Sequence, residues 1–192
     1  MLNKRTTGIT FVLSAPAGTG KSTLVDMLTK EFPHVIRSIS YTTRPPRPGE
    51  IDGVHYFFIS DSEFDKKIAE NDFVEHITLF GHRYGTSKAF LKKAKNDGKH
   101  VFLVIDTQGA IGLMGKSPAV FIFLMPPTLE ELQKRLATRG TETDQIQAIR
   151  LNEAKREIEA AKNYDYIVVN DDLQKAYTAL RSIVIAEEHR VT

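Results

Sequence analysis

The sequence predicts an α/β fold: a doubly wound parallel sheet, with helices on both faces. Strand-length apolar runs at 9–13, 101–105, 119–124 and 166–169 alternate with segments of helical periodicity. One proline-rich mixed stretch and one long polar helical pair interrupt this alternation, so two lobes are inserted into the sheet. The 192 residues suit one domain with sub-lobes, large enough to bury its own core.

The first run, residues 9–13, leads into Ser14-Ala15-Pro16-Ala17-Gly18-Thr19-Gly20-Lys21-Ser22-Thr23. A strand, a glycine-bearing loop and a helix in this order form a phosphate-binding loop, because backbone N–H groups and a helix N-terminus converge on anionic oxygens. Gly18 and Gly20 allow positive φ and close approach, Lys21 would reach the β- and γ-phosphates, and the Ser22 hydroxyl would hold Mg²⁺. The usual pattern has glycine where this chain has Ala15. Leu24, Val25, Leu28 and Phe32 give the following helix its apolar face, and Phe32-Pro33 stops it.

Residues 35–40 alternate apolar and polar side chains as a half-buried strand does. Residues 41–56 then carry three prolines, two glycines and two arginines, which predicts a shaped irregular loop. Arg44 and Arg47, three apart, with Tyr56 and Tyr84, offer two guanidinium forks and two phenols, a set suited to a phosphate dianion. A solvated, proline-stiffened linker is the competing reading.

Residues 57–59 read as a short strand, and Ser60 with Glu63 as a capping box opening a helix to about 70. Residues 73–77 read as a strand, 81–86 as a turn, and 87–97 as a helix ended by Gly98. The apolar run from 101 ends in Asp106, either a carboxylate at the ligand-binding end of the sheet or a cap for the next segment of chain.

Pro126-Pro127 closes the 119–124 strand, and Thr128 with Glu131 opens a helix bearing Arg135 and Arg139 on one face. A surface pair between Glu131 and Arg135 competes with a functional role for that arginine. Residues 140–143 break the pattern, a polar helix with Arg150 and Arg156 runs to about 162, and the 166–169 strand leads through Asn170-Asp171-Asp172 to an amphipathic helix over 173–188.

Net charge is +2, too small to argue for nucleic acid or a membrane surface as partner. The absence of cysteine excludes disulfides and thiolate chemistry. The N-terminal segment has neither the length nor the apolarity of a signal or a span, so a cytoplasmic protein is expected.

The phosphate loop, the segment from Ser40 to Glu50 containing Tyr41-Thr42-Thr43-Arg44-Pro45-Pro46-Arg47-Pro48-Gly49, Tyr56, Glu75, Tyr84-Gly85-Thr86, Ile105-Asp106-Thr107-Gln108-Gly109, Arg135 to Gly140 and Val169-Asn170-Asp171-Asp172 occur in one order. In these motifs the chain resembles guanylate kinase of the bacterial type, a P-loop nucleoside monophosphate kinase, from about Thr7 to Ala186. The resemblance implies a core at 1–36, 91–125 and 165–192, a mixed α/β GMP-binding lobe at 37–90 and a helical lid at 126–164. It implies transfer of the γ-phosphoryl of ATP to GMP, and to dGMP, with Mg²⁺, giving ADP and GDP.

Carried over by position, the resemblance assigns ATP binding to residues 15–23 and Asn170, with Mg²⁺ on Ser22. It assigns the GMP phosphate to Arg44, Arg47, Tyr56 and Tyr84, and guanine to Ser40, Glu75 and Thr86 with Asp106 near the ring. Lys21, Arg44, Arg135, Arg139 and Arg150 would surround the transferring phosphoryl. ATP and GMP are then the partners, with no nucleic acid and no membrane. This chain departs from the family in having Val104 where an acidic residue is common. A non-catalytic guanylate-kinase-like scaffold module and a kinase of other base specificity are the competing readings.

Overall fold

The structure, a computed structural model, describes residues 7–79, 81–138 and 144–191, with the side chains of 136–148 outside that description. In chain order, β1 (Thr10–Ser14) leads to α1 (Lys21–Glu31) and β2 (Val35–Arg37). Next come β3 (Tyr41–Thr42), β4 (Phe57–Phe58), α2 (Asp61–Ala69), β5 (Phe73–Leu79), β6 (His82–Ser87) and α3 (Lys88–Asn96). The chain continues with β7 (His100–Val104), α4 (Thr107–Leu113), β8 (Val120–Met125), α5 (Leu129–Thr138), α6 (Asp144–Ala160), β9 (Tyr166–Val169) and α7 (Leu173–Glu188).

Among the described residues, five parallel strands form the main sheet in the order β2-β7-β1-β8-β9. Its continuous apolar runs follow from burial on both faces: Phe11, Leu13, Phe102, Ile122 and Leu124 pack with α1 and α7, whereas Val12, Val101, Leu103, Phe121 and Phe123 pack with α3 and α4. The side-chain period of two thus divides each run between two cores. Val104, at the usually acidic position, packs against the first of them.

The second sheet, β4-β3-β6-β5, is mixed and lies in the inserted stretch. Its helix α2 opens with both halves of the expected capping box formed between Ser60 and Glu63.

Four expectations need correction. Residues 81–86, expected as a turn, instead lead into and form most of β6, which pairs with β3 and β5 on either side. Gly85 sits there because a Cβ would come within 2.9–3.0 Å of the Phe73 ring, a close-approach glycine in a strand. Tyr41 and Thr42, assigned to an irregular loop, form β3 because β4 and β6 supply hydrogen-bond partners on both edges. The strand expected over 35–40 stops at Arg37. Helix α4 was not expected at all: two glycines in seven residues weaken its propensity, and the Asp106 cap with buried Ala110 and Leu113 holds it.

At the N-terminal edge of the main sheet, His34 Nε2 lies 2.7 Å and His100 Nε2 3.1 Å from Glu188 Oε1, tying the end of α7 to β2 and β7. The three ligand atoms lie within 4.8 Å of one another, as metal ligands would. The Ile9 N–H, however, donates to His100 Nδ1 at 3.1 Å, which leaves the proton of the neutral ring on Nε2, where a metal would need a lone pair. Among the described residues no helix is long and apolar enough to cross a membrane.

Candidate active site

The loop after β1 is built from the inside outward. Ala15 is 2% exposed and its methyl belongs to the main core, which accounts for an alanine at a customary glycine position. Thr19 closes the loop on Pro16, donating from N at 3.3 Å and from Oγ1 at 2.8 Å to the same carbonyl. Gly18 and Gly20 have φ of 87° and 99°, as expected for a backbone turning its N–H groups inward. Gly20 caps α1 without a side chain, so the first-turn N–H groups face the loop. Lys21 Nζ folds back to donate to the Ala15 carbonyl at 2.5 Å, while Ser22 and Thr23 are exposed on the first turn.

Asn170 follows β9 and donates from Nδ2 to the Thr19 carbonyl at 2.7 Å. It is 5% exposed, and a Cβ on Gly20 would lie 2.8 Å from that same nitrogen. Its amide is therefore committed to holding the loop.

In the inserted lobe Arg44 makes a two-pronged bond to Glu50, with Nη2 at 2.8 and 2.9 Å from its two oxygens. The Arg47 N–H donates to Glu50 at 2.7 Å, so Glu50 organises the whole arginine loop. Burial opposes the charge of Arg44, yet Glu50 and Tyr84 outweigh it and hold the guanidinium above its usual pKa. Burial likewise opposes ionisation of Glu50, and the Arg47 N–H and Arg44 outweigh it, lowering that carboxyl. Arg44 lies over the rings of Tyr56 at 5.5 Å and Phe58 at 5.9 Å, and Tyr56 meets Tyr84 edge to face at 6.0 Å. The Arg47 side chain is exposed at the rim of this cluster. Glu50 was missed as a site residue, although its place six after Arg44 in the same short loop was a usable signal.

The third part lies where β5 and β6 meet α4. Thr86 Oγ1 donates to Glu75 Oε1 at 2.6 Å, and Ser40 Oγ stands 3.5 Å from Thr86 Oγ1. Burial pushes the Glu75 carboxyl up to about 7, with Thr86 opposing and Asp106 adding to the rise. Asp106 caps α4, its Oδ1 accepting the Gly109 N–H at 2.6 Å, so its reading as a cap for the next segment holds. Its Oδ2 is buried with no hydrogen-bond partner among the described residues, and burial raises its pKa as well. Two buried hydroxyls, Thr107 Oγ1 and Tyr164 Oη, stand close to this carboxylate, and burial raises the Tyr164 phenol.

Over the loop, Arg135 on α5 donates to Glu131 at 3.0 Å and to the Asn170 carbonyl at 3.3 Å. The surface pair expected as a rival reading is thus present, together with a contact to the loop's own anchor. Leu132 and Ala154 of the helical pair pack with Ala17 of the loop after β1. Arg150 is partly buried on α6, and Arg139 lies outside the described residues. Glu157 on the same helix was missed; burial raises its pKa, with Lys21 opposing.

The exposed Ser22 hydroxyl, on the first turn of α1, is an oxygen donor of the kind a hard cation takes.

A family model described as guanylate kinase matches residues 7–187. The chain is 55% identical over 185 residues to a guanylate kinase of Protochlamydia amoebophila, covering 96% of this chain and 94% of that one. It is 50% identical over 183 residues to a guanylate kinase of Chlamydia trachomatis, covering 95% and 89%. Among solved structures, guanylate kinase from Anaplasma phagocytophilum superposes with a TM-score of 0.77 at 32% identity, covering 96% of this chain and 88% of that one.

Proposed function

The chain belongs to the guanylate kinase family, and on that premise we propose how its residues carry the γ-phosphoryl of ATP to GMP, or dGMP, to give ADP and GDP. The observation that carries the reading is the half-buried Glu75 carboxylate, fixed by Thr86 and flanked by Asp106. Guanine presents N1–H and a 2-amino group side by side, and a carboxylate accepts both.

ATP lies with its phosphates in the loop of residues 15–23, where N–H groups and Lys21 balance charge. The Ser22 hydroxyl would hold Mg²⁺, which would supply further charge neutralisation when bound. Arg44 exchanges part of its bond to Glu50 for the GMP phosphate, joined by Arg47, Tyr56 and Tyr84. The attacking phosphate oxygen is already an anion at neutral pH, so no general base is needed; alignment and exclusion of water are what the protein adds. Arg135, Arg139 and Arg150 enter from the lid, taken as residues 126–164, while 37–90 form the GMP lobe on the remaining core. Asn170 serves ATP indirectly, by fixing the loop at Thr19. A cytoplasmic location is part of this reading, since both substrates are cytoplasmic nucleotides.

The test is ADP release from ATP with GMP, dGMP, AMP, CMP and UMP in turn. Turnover with GMP and dGMP alone is expected. Equal turnover with AMP would overturn the base assignment, and none with any nucleotide would favour a non-catalytic binding module.

A further inference from the structure

Gly109 is the third residue of α4, in a backbone conformation that any residue adopts, since it is absent from the glycines with positive φ. Its reason for being glycine lies elsewhere. A Cβ built there would stand 3.0 Å from Asp106 Oδ1 and 3.1 Å from Glu75 Oε2, so the two carboxylates border one methyl-sized space. The Gly109 N–H also fixes Asp106, donating to Oδ1 at 2.6 Å. Gly112, one turn on in the same helix, differs: a Cβ there would meet nothing within 4 Å.

We propose that Gly109 is a positioning residue for base recognition, its N–H aiming Asp106 and its missing side chain leaving Glu75 and Asp106 free to meet the purine together. This rests on the reading that Glu75 and Asp106 contact guanine. A methyl group at 109 costs little in folding, because it meets the far ends of two side chains, and alanine suits a helix better than glycine. It does displace the Glu75 carboxylate and crowd Asp106. The loss is then confined to the nucleoside monophosphate, since the phosphate loop is held separately by Pro16, Thr19 and Asn170.

The experiment compares Gly109→Ala with Gly112→Ala and, in parallel, with Glu75→Gln. Gly109→Ala should raise the KM for GMP by about tenfold or more and narrow the GMP-to-AMP ratio, with the KM for ATP and the thermal midpoint unchanged or the midpoint higher. Gly112→Ala should match the parent in every measure. Adding Glu75→Asp, which draws the carboxylate back from the new methyl, should cost less in the Gly109→Ala background than in the parent, a coupling that a purely structural glycine would not show. The proposal is overturned if Gly109→Ala behaves like Gly112→Ala, if it fails to fold, or if it damages ATP and GMP use equally. If Glu75→Gln itself leaves GMP use and AMP discrimination intact, the guanine-site reading has failed. If Glu75→Gln is impaired while Gly109→Ala is not, only the role of Gly109 is lost.

Discussion

Thr86 donates from Oγ1 to Glu75 Oε1 at 2.6 Å, between residues that pair directly across two antiparallel strands. The threonine is fully buried, so its hydroxyl has no water to turn to. Thr86→Val keeps the shape and removes the donor. Catalytic efficiency with GMP should fall by about tenfold, the worth of a buried bond to a charged group, while the KM for ATP stays put. Steady-state kinetics with each substrate varied would show an equal loss for both if Thr86 were only core.

Glu75 should make GMP binding pH-dependent. Burial raises its pKa from 4.5 to about 7, and only the ionised carboxyl accepts from both guanine donors. The KM for GMP should therefore rise by up to about tenfold for each unit that pH drops below neutrality and be level above it. The same profile for Glu75→Gln separates this from ionisation of the nucleotide's own phosphate. A dependence surviving in that variant would discount the assignment.

The same shift bears on stability without ligand. Between 4.5 and about 7 the folded chain keeps this proton and the unfolded chain does not. The stabilisation is thus fully present below the ordinary carboxyl value and is lost as pH rises through neutrality. Asp106, raised in the same direction, adds to the trend. Denaturant titrations should show Glu75→Gln with a flatter decline across that window.

Lys21→Ala should lower turnover by about 10³ or more, because a cation beside the developing charge is lost. The dissociation constant for GMP, measured calorimetrically, should hardly change, as most of the residues proposed to bind it belong to the other sheet and its loops. A large rise there with normal turnover would contradict the role given to this lysine.

Asn170→Ala removes the bond from Nδ2 to the Thr19 carbonyl and leaves that buried oxygen unpaired. A loss of about 1–3 kcal/mol is expected, with a raised KM for ATP and an unchanged dissociation constant for GMP. Glu188→Ala offers the contrast: it releases His34 and His100 at the opposite edge, so thermal unfolding should register about 1 kcal/mol while kinetics remain those of the parent.

The sequence by itself determined whatever depends on contiguous residues. Gly18 to Thr23 after an apolar strand identified the loop, because N–H groups, lysine and hydroxyl must lie within one turn of chain. Arg44 and Arg47, three apart in one short loop, were legible as the pair proposed here for the GMP phosphate for the same reason. The runs at 101 and 119 announced strands buried on both faces through their unbroken apolarity. Tertiary structure decided the rest. Gly85 reads as a turn residue until the Phe73 ring is seen against it, and Thr107 to Leu113 reads as a poor helix until Asp106 caps it and its apolar side sinks into the core. Asn170 meets Thr19 across 151 residues, and Glu75 meets Asp106 over Gly109 from a different sheet. Such contacts have no local pattern, because burial and hydrogen-bond partners for one segment are supplied by others, and only the packed chain brings them within reach.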